Sequence, residues 1–261
     1  MHMDVQDKTN ILYNNCKNLK PYESDASIEI KNVEEAYSIQ DSFINLKRKD
    51  GYGDIGGWKV ALTNPEMQRL VGVDYPVEGA IHKPLIYKNN VTVKLNNYCH
   101  LGAEAEIAIK IDKDIPSKIN GFNNKEEIIP YLKEVMVALE IVDDRNSGSN
   151  VTYEKLIAQN SMNHGCIIGE SVEIDLMTLD KLEGELIVSD KVFGRGKGKN
   201  VLHHPLNSVL YLVNNLIKRG RNLYAGDIVL TGSISTTCWP KSGDKVEAHI
   251  EKLNSVSMNI F

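Results

Sequence analysis

Apolar residues in the first fifth of the chain recur at helical spacing. Ala36, Ile39, Phe43, Ile44 and Leu46 follow an Asn32–Glu35 pair that resembles a capping box, and Gly51 ends the run. From about Trp58 onward the period changes. Short apolar runs alternate with Gly, Pro and Asn clusters, which predicts strands near residues 91–95, 106–111, 184–188, 227–230 and 246–250. One helix interrupts them: Pro205 suits a first turn, Leu206, Val209, Leu212, Val213 and Leu216 supply an apolar face, and Gly220 ends it. A small helical start followed by a strand-rich body reads as α+β rather than as alternating βαβ units.

Composition narrows the function classes. A net charge of −5 opposes a nucleic-acid footprint, which needs a basic face. Short basic clusters such as Lys47-Arg48-Lys49 read as solvated surface. Cys16, Cys99, Cys166 and Cys238 are too scattered for a zinc ribbon or a disulfide framework, so a reduced, cytoplasmic setting is expected. No apolar run reaches membrane-spanning length, and Met1-His2-Met3-Asp4 opens no signal-peptide core.

Several motifs lose their meaning in context. Gly51-Tyr52-Gly53-Asp54-Ile55-Gly56 matches the dinucleotide pattern, yet a helix end precedes it and a strand follows, so it reads as a turn. Gly194-Arg195-Gly196-Lys197-Gly198 lacks the Gly-Lys-Ser/Thr ending of a phosphate loop and reads as a mobile basic loop between strand and helix. Asp112-Lys113-Asp114 lacks the glycine and glutamate of a calcium loop. His203-His204 precedes the Pro205 helix, where one of them can stabilise the helix start. Ser161 and Ser233 show no recognisable nucleophile elbow.

Three apolar segments carry ionisable groups that survive this sifting. Glu104 and Glu106 flank Ala105 within the run from Leu101 to Ile109; on a strand, residues two apart share a face about 7 Å from each other. Glu140 is the lone charge between Val135 and Val142, and Lys59 interrupts the strand-like Trp58–Thr63 stretch. Each has a plain alternative: a snorkelling lysine, a solvent-facing acidic stripe, or a buried glutamate paired with Arg145. Together, three carboxylates leave room in an octahedral oxygen shell for a bidentate ligand and a water, which suits Mg²⁺ or Mn²⁺ better than zinc.

Gly57-Trp58-Lys59-Val60-Ala61-Leu62-Thr63, Gly72-Val73-Asp74, Ala103-Glu104-Ala105-Glu106-Ile107-Ala108, Ala138-Leu139-Glu140-Ile141-Val142-Asp143, His204-Pro205-Leu206-Asn207 and Gly226-Asp227-Ile228-Val229-Leu230-Thr231-Gly232-Ser233 form an ordered series. It resembles the 2-keto-4-pentenoate hydratase family of the fumarylacetoacetate hydrolase superfamily, whose members include 2-oxohepta-3-ene-1,7-dioate hydratases and 4-oxalocrotonate decarboxylases. The resemblance implies an α+β fold with a small N-terminal α/β part, residues 1–80, and a C-terminal mixed β-roll, residues 81–261, carrying the metal-binding catalytic residues. It implies Mg²⁺ or Mn²⁺ on Glu104, Glu106 and Glu140, Lys59 as the acid/base or electrostatic group, and Thr231, Gly232 and Ser233 holding the substrate. A homo-oligomer with no nucleic-acid or membrane partner completes the expectation.

The implied reaction is metal-dependent addition of water to 2-hydroxy-2,4-dienoates, giving 4-hydroxy-2-oxo acids. One departure points elsewhere. Many hydratases carry an aspartate where this chain has Val77, and Glu78 beside it would face the other way on a strand. The decarboxylase branch tends to lack that aspartate and often shares Gly57-Trp58-Lys59, so 4-oxalocrotonate-type decarboxylation is the alternative. An acylpyruvate-type C–C hydrolase ranks third, with His82 as its one residue to check.

Overall fold

The computed structural model describes residues 3–148 and 150–261. Six α-helices occur among them: α1 (Val5–Lys17), α2 (Val33–Lys47), α3 (Pro65–Val71), α4 (Lys125–Ile128), α5 (Tyr153–Ala158) and α6 (Pro205–Lys218). The strands are β1 (Ile55–Ala61), β2 (Val77–His82), β3 (Ile86–Lys88), β4 (Val91–Val93), β5 (Leu101–Ile111), β6 (Leu132–Asp143), β7 (Asn163–Ile168), β8 (Glu183–Val188), β9 (Lys191–Lys197), β10 (Ile228–Ser233), β11 (Lys245–Ile250) and β12 (Asn254–Ile260). They form two mixed sheets, ordered β2-β1-β10-β5-β6-β7-β3 and β4-β12-β11-β8-β9. The α+β reading holds, and β1 and β2 from the first eighty residues belong to the larger sheet.

Alternation along β5 and β6 divides the larger sheet into two chemically different faces. Ala103, Ala105, Ile107 and Ile109 pack with Val135, Val137, Leu139 and Ile141 into the main core, against β8, β11, β12 and α6. Glu104, Glu106 and Glu140 lie on the opposite face. There the apolar cluster of Ala108, Met136, Ala138, Cys166 and Leu230 continues beneath the site, and α2 and α5 pack near Leu62 and Val77.

Local signals placed the helix ends. Asn32 accepts from Glu35 N at 2.9 Å, while Glu35 reaches back to Lys31 N rather than to Asn32 N, so the expected box is half formed. His204 Nδ1 accepts from Leu206 N at 3.1 Å, the helix-start role expected for one histidine of the pair. Gly220 adopts φ 71°, which suits glycine at a helix end.

Two expectations are corrected. Gly194–Gly198 is not a mobile loop: most of it is strand β9, paired with β8 and tied by Arg195–Glu185 at 2.7 Å and Lys197–Glu183 at 2.6 Å. Glycine is required at Gly196 because a Cβ would lie 1.7 Å from Ile234 O. Arg145 does not pair with Glu140; it binds Asp25 at 2.7 Å and the carbonyls of Lys20 and Pro21, anchoring the N-terminal segment.

Candidate metal centre and active site

Glu104 and Glu140 are direct cross-strand partners, and Glu106 lies two residues along on the same face of β5. One carboxylate oxygen from each falls within 4.8 Å of the others. Glu106 and Glu140 are fully buried. Lys59 enters from β1, which is separated from β6 by β10 and β5. That is three strand spacings, about 14 Å on a flat sheet. The two long side chains nevertheless meet, with Lys59 Nζ 3.1 Å from Glu140 Oε1.

Each carboxylate is held by a specific donor. Gly232 N donates to Glu106 Oε2 at 2.7 Å, Asn163 Nδ2 donates to Glu140 Oε1 at 2.9 Å, and the Thr237 hydroxyl donates to Glu104 Oε1. Gly232 adopts φ 116° with Thr63 packed against it, so no side chain fits there. Glu106 Oε1 and Glu140 Oε2 remain buried without any hydrogen-bond partner among the described residues. Orphaned carboxylate oxygens are costly to bury, and here they belong to two members of one cluster. Three carboxyl groups face a single ammonium, an excess of acidic groups in a buried place. That donor set fits a hard divalent cation.

The electrostatics follow from this crowding. Burial, then the charges of Glu140 and Glu104, push the Glu106 carboxyl well above its ordinary value. Burial also raises Glu140, with Lys59 opposing. For Lys59, burial pulls the ammonium down, but Glu140, Glu104 and Glu106 outweigh it and hold it above its usual value. Lys59 is therefore a buried cation in the chain as it stands.

The cluster opens into a cavity of about 630 Å³, reached by Lys59, Glu104, Ser161, Ser233 and Thr237. The three expected substrate-loop residues separate in role. Ser233 lines the cavity, Gly232 supports Glu106, and the Thr231 hydroxyl is spent on Ile107 O at 2.8 Å. Val77 is buried against Leu62, Tyr153 and Leu156, while Glu78 binds Arg219 at 2.5 Å and Tyr37 OH at 3.0 Å. His82 is buried, holds Gly53 O at 2.8 Å and does not line this cavity.

Sequence reasoning missed Asn163 and Thr237, which hold carboxylates of the cluster, and Trp239 and the His100–Asp144 pair, which line the cavity beside it. One signal of a site lies in the backbone. Asn160, Ser161 and Met162 all take positive φ, and Asn160 pins that segment to Ala80 N and Ala80 O at 2.7 and 2.9 Å.

The model for the C-terminal region of fumarylacetoacetate (FAA) hydrolase matches residues 80–260. The chain belongs to the fumarylacetoacetate hydrolase family. The 2-keto-4-pentenoate hydratase of Paraburkholderia phymatum is 31% identical over 85% of this chain and 83% of its own. The 4-oxalocrotonate decarboxylase of Pseudomonas putida is 27% identical over 85% and 83%. The solved structure of 4-oxalocrotonate decarboxylase from Pseudomonas putida G7, complexed with magnesium and adipate, superposes with a TM-score of 0.88 at 23% identity, covering 98% of this chain and 97% of that one. No helix among the described residues is long and apolar enough to cross a membrane.

Proposed function

We propose that this protein is a divalent-metal-dependent hydratase of 2-hydroxy-2,4-dienoates, yielding 4-hydroxy-2-oxo acids. The observation that carries this reading is a cluster of three carboxylates, each offering an oxygen within 4.8 Å of the others, in which Glu106 and Glu140 each keep a buried oxygen without a partner and Glu104 reaches a substrate-sized cavity. Glu104, Glu106 and Glu140 would hold Mg²⁺ or Mn²⁺, and the magnesium complexed in the similar 4-oxalocrotonate decarboxylase structure supports a divalent ion. When bound, the ion supplies Lewis acidity toward the carboxylate and C2 oxygen of a chelating 2-oxo acid.

The chain's own residues supply the rest. Lys59, with Nζ 3.1 Å from Glu140, would place its nitrogen beside the C2 oxygen, either to offset negative charge there or to carry a proton. Asn163, Gly232 and Thr237 fix the three carboxylates, which limits reorganisation during turnover. In the overall reaction C5 and C3 each gain a proton, C4 gains the hydroxyl of water, and the C2 hydroxyl gives up its proton to become the ketone, so the sum is one water added. Val77 and Trp58 favour the second reading, decarboxylation of a vinylogous β-keto acid, because no acid stands at position 77.

The test is to follow 2-hydroxypenta-2,4-dienoate by ultraviolet absorbance and NMR with Mg²⁺ present. A 4-hydroxy-2-oxo product, lost on chelation and in Glu104→Gln, is expected; CO₂ release from a 4-oxalocrotonate substrate with no hydration would favour the second reading. Unchanged turnover after thorough chelation would sink both. We also propose a homo-oligomer, supported by exposed Val192 and Phe193 on edge strand β9; a sedimentation mass of one chain would refute it.

A further inference from the structure

The floor of the cavity is laid out in rows. Glu104 faces Glu140 across β5 and β6, and Gly102 faces Val142 one row on. The bridge between Ala103 and Cys238 places Thr237 beside the first row and Trp239 beside the second. His100 and Asp144 form a third row, with Nδ1 and Oδ1 2.6 Å apart. Successive rows lie about 6.6 Å apart, the rise of two strand residues.

The second row is apolar because Gly102 lacks a side chain. A Cβ there would lie 2.6 Å from Trp239 Cζ3 and 2.7 Å from Val142 Cγ2, so indole and valine close over the glycine. The Trp239 ring continues the surface by stacking on His100, with centroids 4.2 Å apart and planes 6° from parallel. Met67, Leu70, Leu156 and Met162 line other parts of the cavity, and Leu70 is 67% exposed despite its apolar side chain. Charge is distributed just as unevenly. Among the described lining residues the basic side chains are Lys59, bonded to Glu140, and His100, whose Nδ1 lies 2.6 Å from Asp144 Oδ1; no arginine takes part.

An acid whose C1 and C2 oxygens are held at the first row sends its chain toward the second. Four zigzag bonds of about 1.5 Å advance roughly 5 Å, so C6 lies over Val142 and Trp239. A carboxylate at C6 would lose water against an indole and a valine, meet no lysine or arginine, and approach Asp144. A methylene there would bury apolar surface instead.

Resting on the metal-centred reading above, we propose that the Gly102–Val142–Trp239 row selects 2-oxo acids and their dienol forms with an uncharged tail beyond C5, and rejects a second carboxylate at C6. The tail runs along Trp239 toward the His100–Asp144 pair. Gly102, Val142 and Trp239 are thus specificity-determining residues.

The test uses inert saturated 2-oxo acids and calorimetry on the Mg²⁺-loaded protein, so that no turnover is needed. Pyruvate should bind, affinity should rise roughly fourfold per methylene from 2-oxobutanoate to 2-oxohexanoate, and 2-oxoadipate should bind at least tenfold more weakly than 2-oxohexanoate. Trp239 emission should respond to 2-oxohexanoate and not to pyruvate, and Trp239→Phe should abolish that response. Trp239→Arg, at a position 39% exposed, should reverse the preference toward 2-oxoadipate. Equal or tighter binding of 2-oxoadipate by the unaltered protein, or affinity independent of tail length, overturns the inference while leaving the metal-centred reading intact. Failure of pyruvate itself to bind overturns both.

Discussion

Glu106→Gln should stabilise the metal-free protein while removing its response to metal. In the native chain Glu106 is buried, with oxygens of Glu104 and Glu140 within 4.8 Å and the Lys59 ammonium close to Glu140. At an effective dielectric of ~20, two unit charges at that separation repel by about 3.5 kcal/mol. Two carboxylates and one ammonium leave a net repulsion of the order of one pair, about 3 kcal/mol, and burial acts in the same direction. The Glu106 carboxyl is therefore raised well above its ordinary 4.5, and the native state retains a proton that the unfolded chain has released. Since the native state binds more protons above pH 4.5, stability of the metal-free protein falls as pH rises from there through the raised value. Gln keeps the acceptor that Gly232 N uses at 2.7 Å and carries no charge. In chelator at pH 8 the variant should melt roughly 6–12 °C above the unaltered protein, with the gap closing toward pH 5. Adding Mg²⁺ at about 100 times its Kd should stabilise the unaltered protein by about 2.7 kcal/mol and the variant by far less. Scanning calorimetry at pH 5 to 8, with chelator or with Mg²⁺, reads both. A variant that melts at or below the unaltered protein in chelator at pH 8, or that shifts equally with Mg²⁺, would refute the reasoning.

Other expectations follow from single contacts. Lys47 is buried and has no carboxylate within ion-pair reach among the described residues; its ammonium rests near the Tyr52 and Phe43 rings, and burial draws it down to about 8. The buried charge costs the fold fully below pH 8, and the cost is relieved as pH rises from 8 to 10.5. Lys47→Met should therefore stabilise by roughly 3 kcal/mol at pH 7 in urea titration, with the gain shrinking toward pH 10. Arg219→Met strands buried Glu78 and should cost about 3–5 kcal/mol, with the Mg²⁺-induced shift in Tm unchanged. Gly232→Ala, forced against Thr63 at positive φ, should destabilise by at least about 1 kcal/mol and weaken Mg²⁺ affinity in calorimetry by turning the N–H away from Glu106. Asn163→Ala should weaken Mg²⁺ affinity roughly 10- to 100-fold while leaving a folded circular-dichroism spectrum.

Much of the fold was legible because its signals are local. The Pro205 and Gly220 boundaries of α6, and the turn at Gly51 to Gly53 before β1, each rest on one or two residues whose backbone preferences do not depend on distant partners. The basic Gly194–Gly198 segment was misread for the opposite reason. Glycines usually mark loops, but here Gly196 is small to clear Ile234 O, a neighbour 38 residues along the chain.

The amino-acid sequence by itself determined that Glu104 and Glu106 share a face of any strand they occupy and that Glu140 stands alone in an apolar stretch. Period-two geometry is enough for the shared face; the register of β5 against β6 puts the three together. Only the tertiary structure decided which partners answer those charges. The strand order and the packing of the whole core deliver Lys59 to Glu140 from three strands away, leave Arg145 to Asp25, and line up Trp239 with Gly102. Such distances depend on the mutual arrangement of many strands, and no local pattern encodes them.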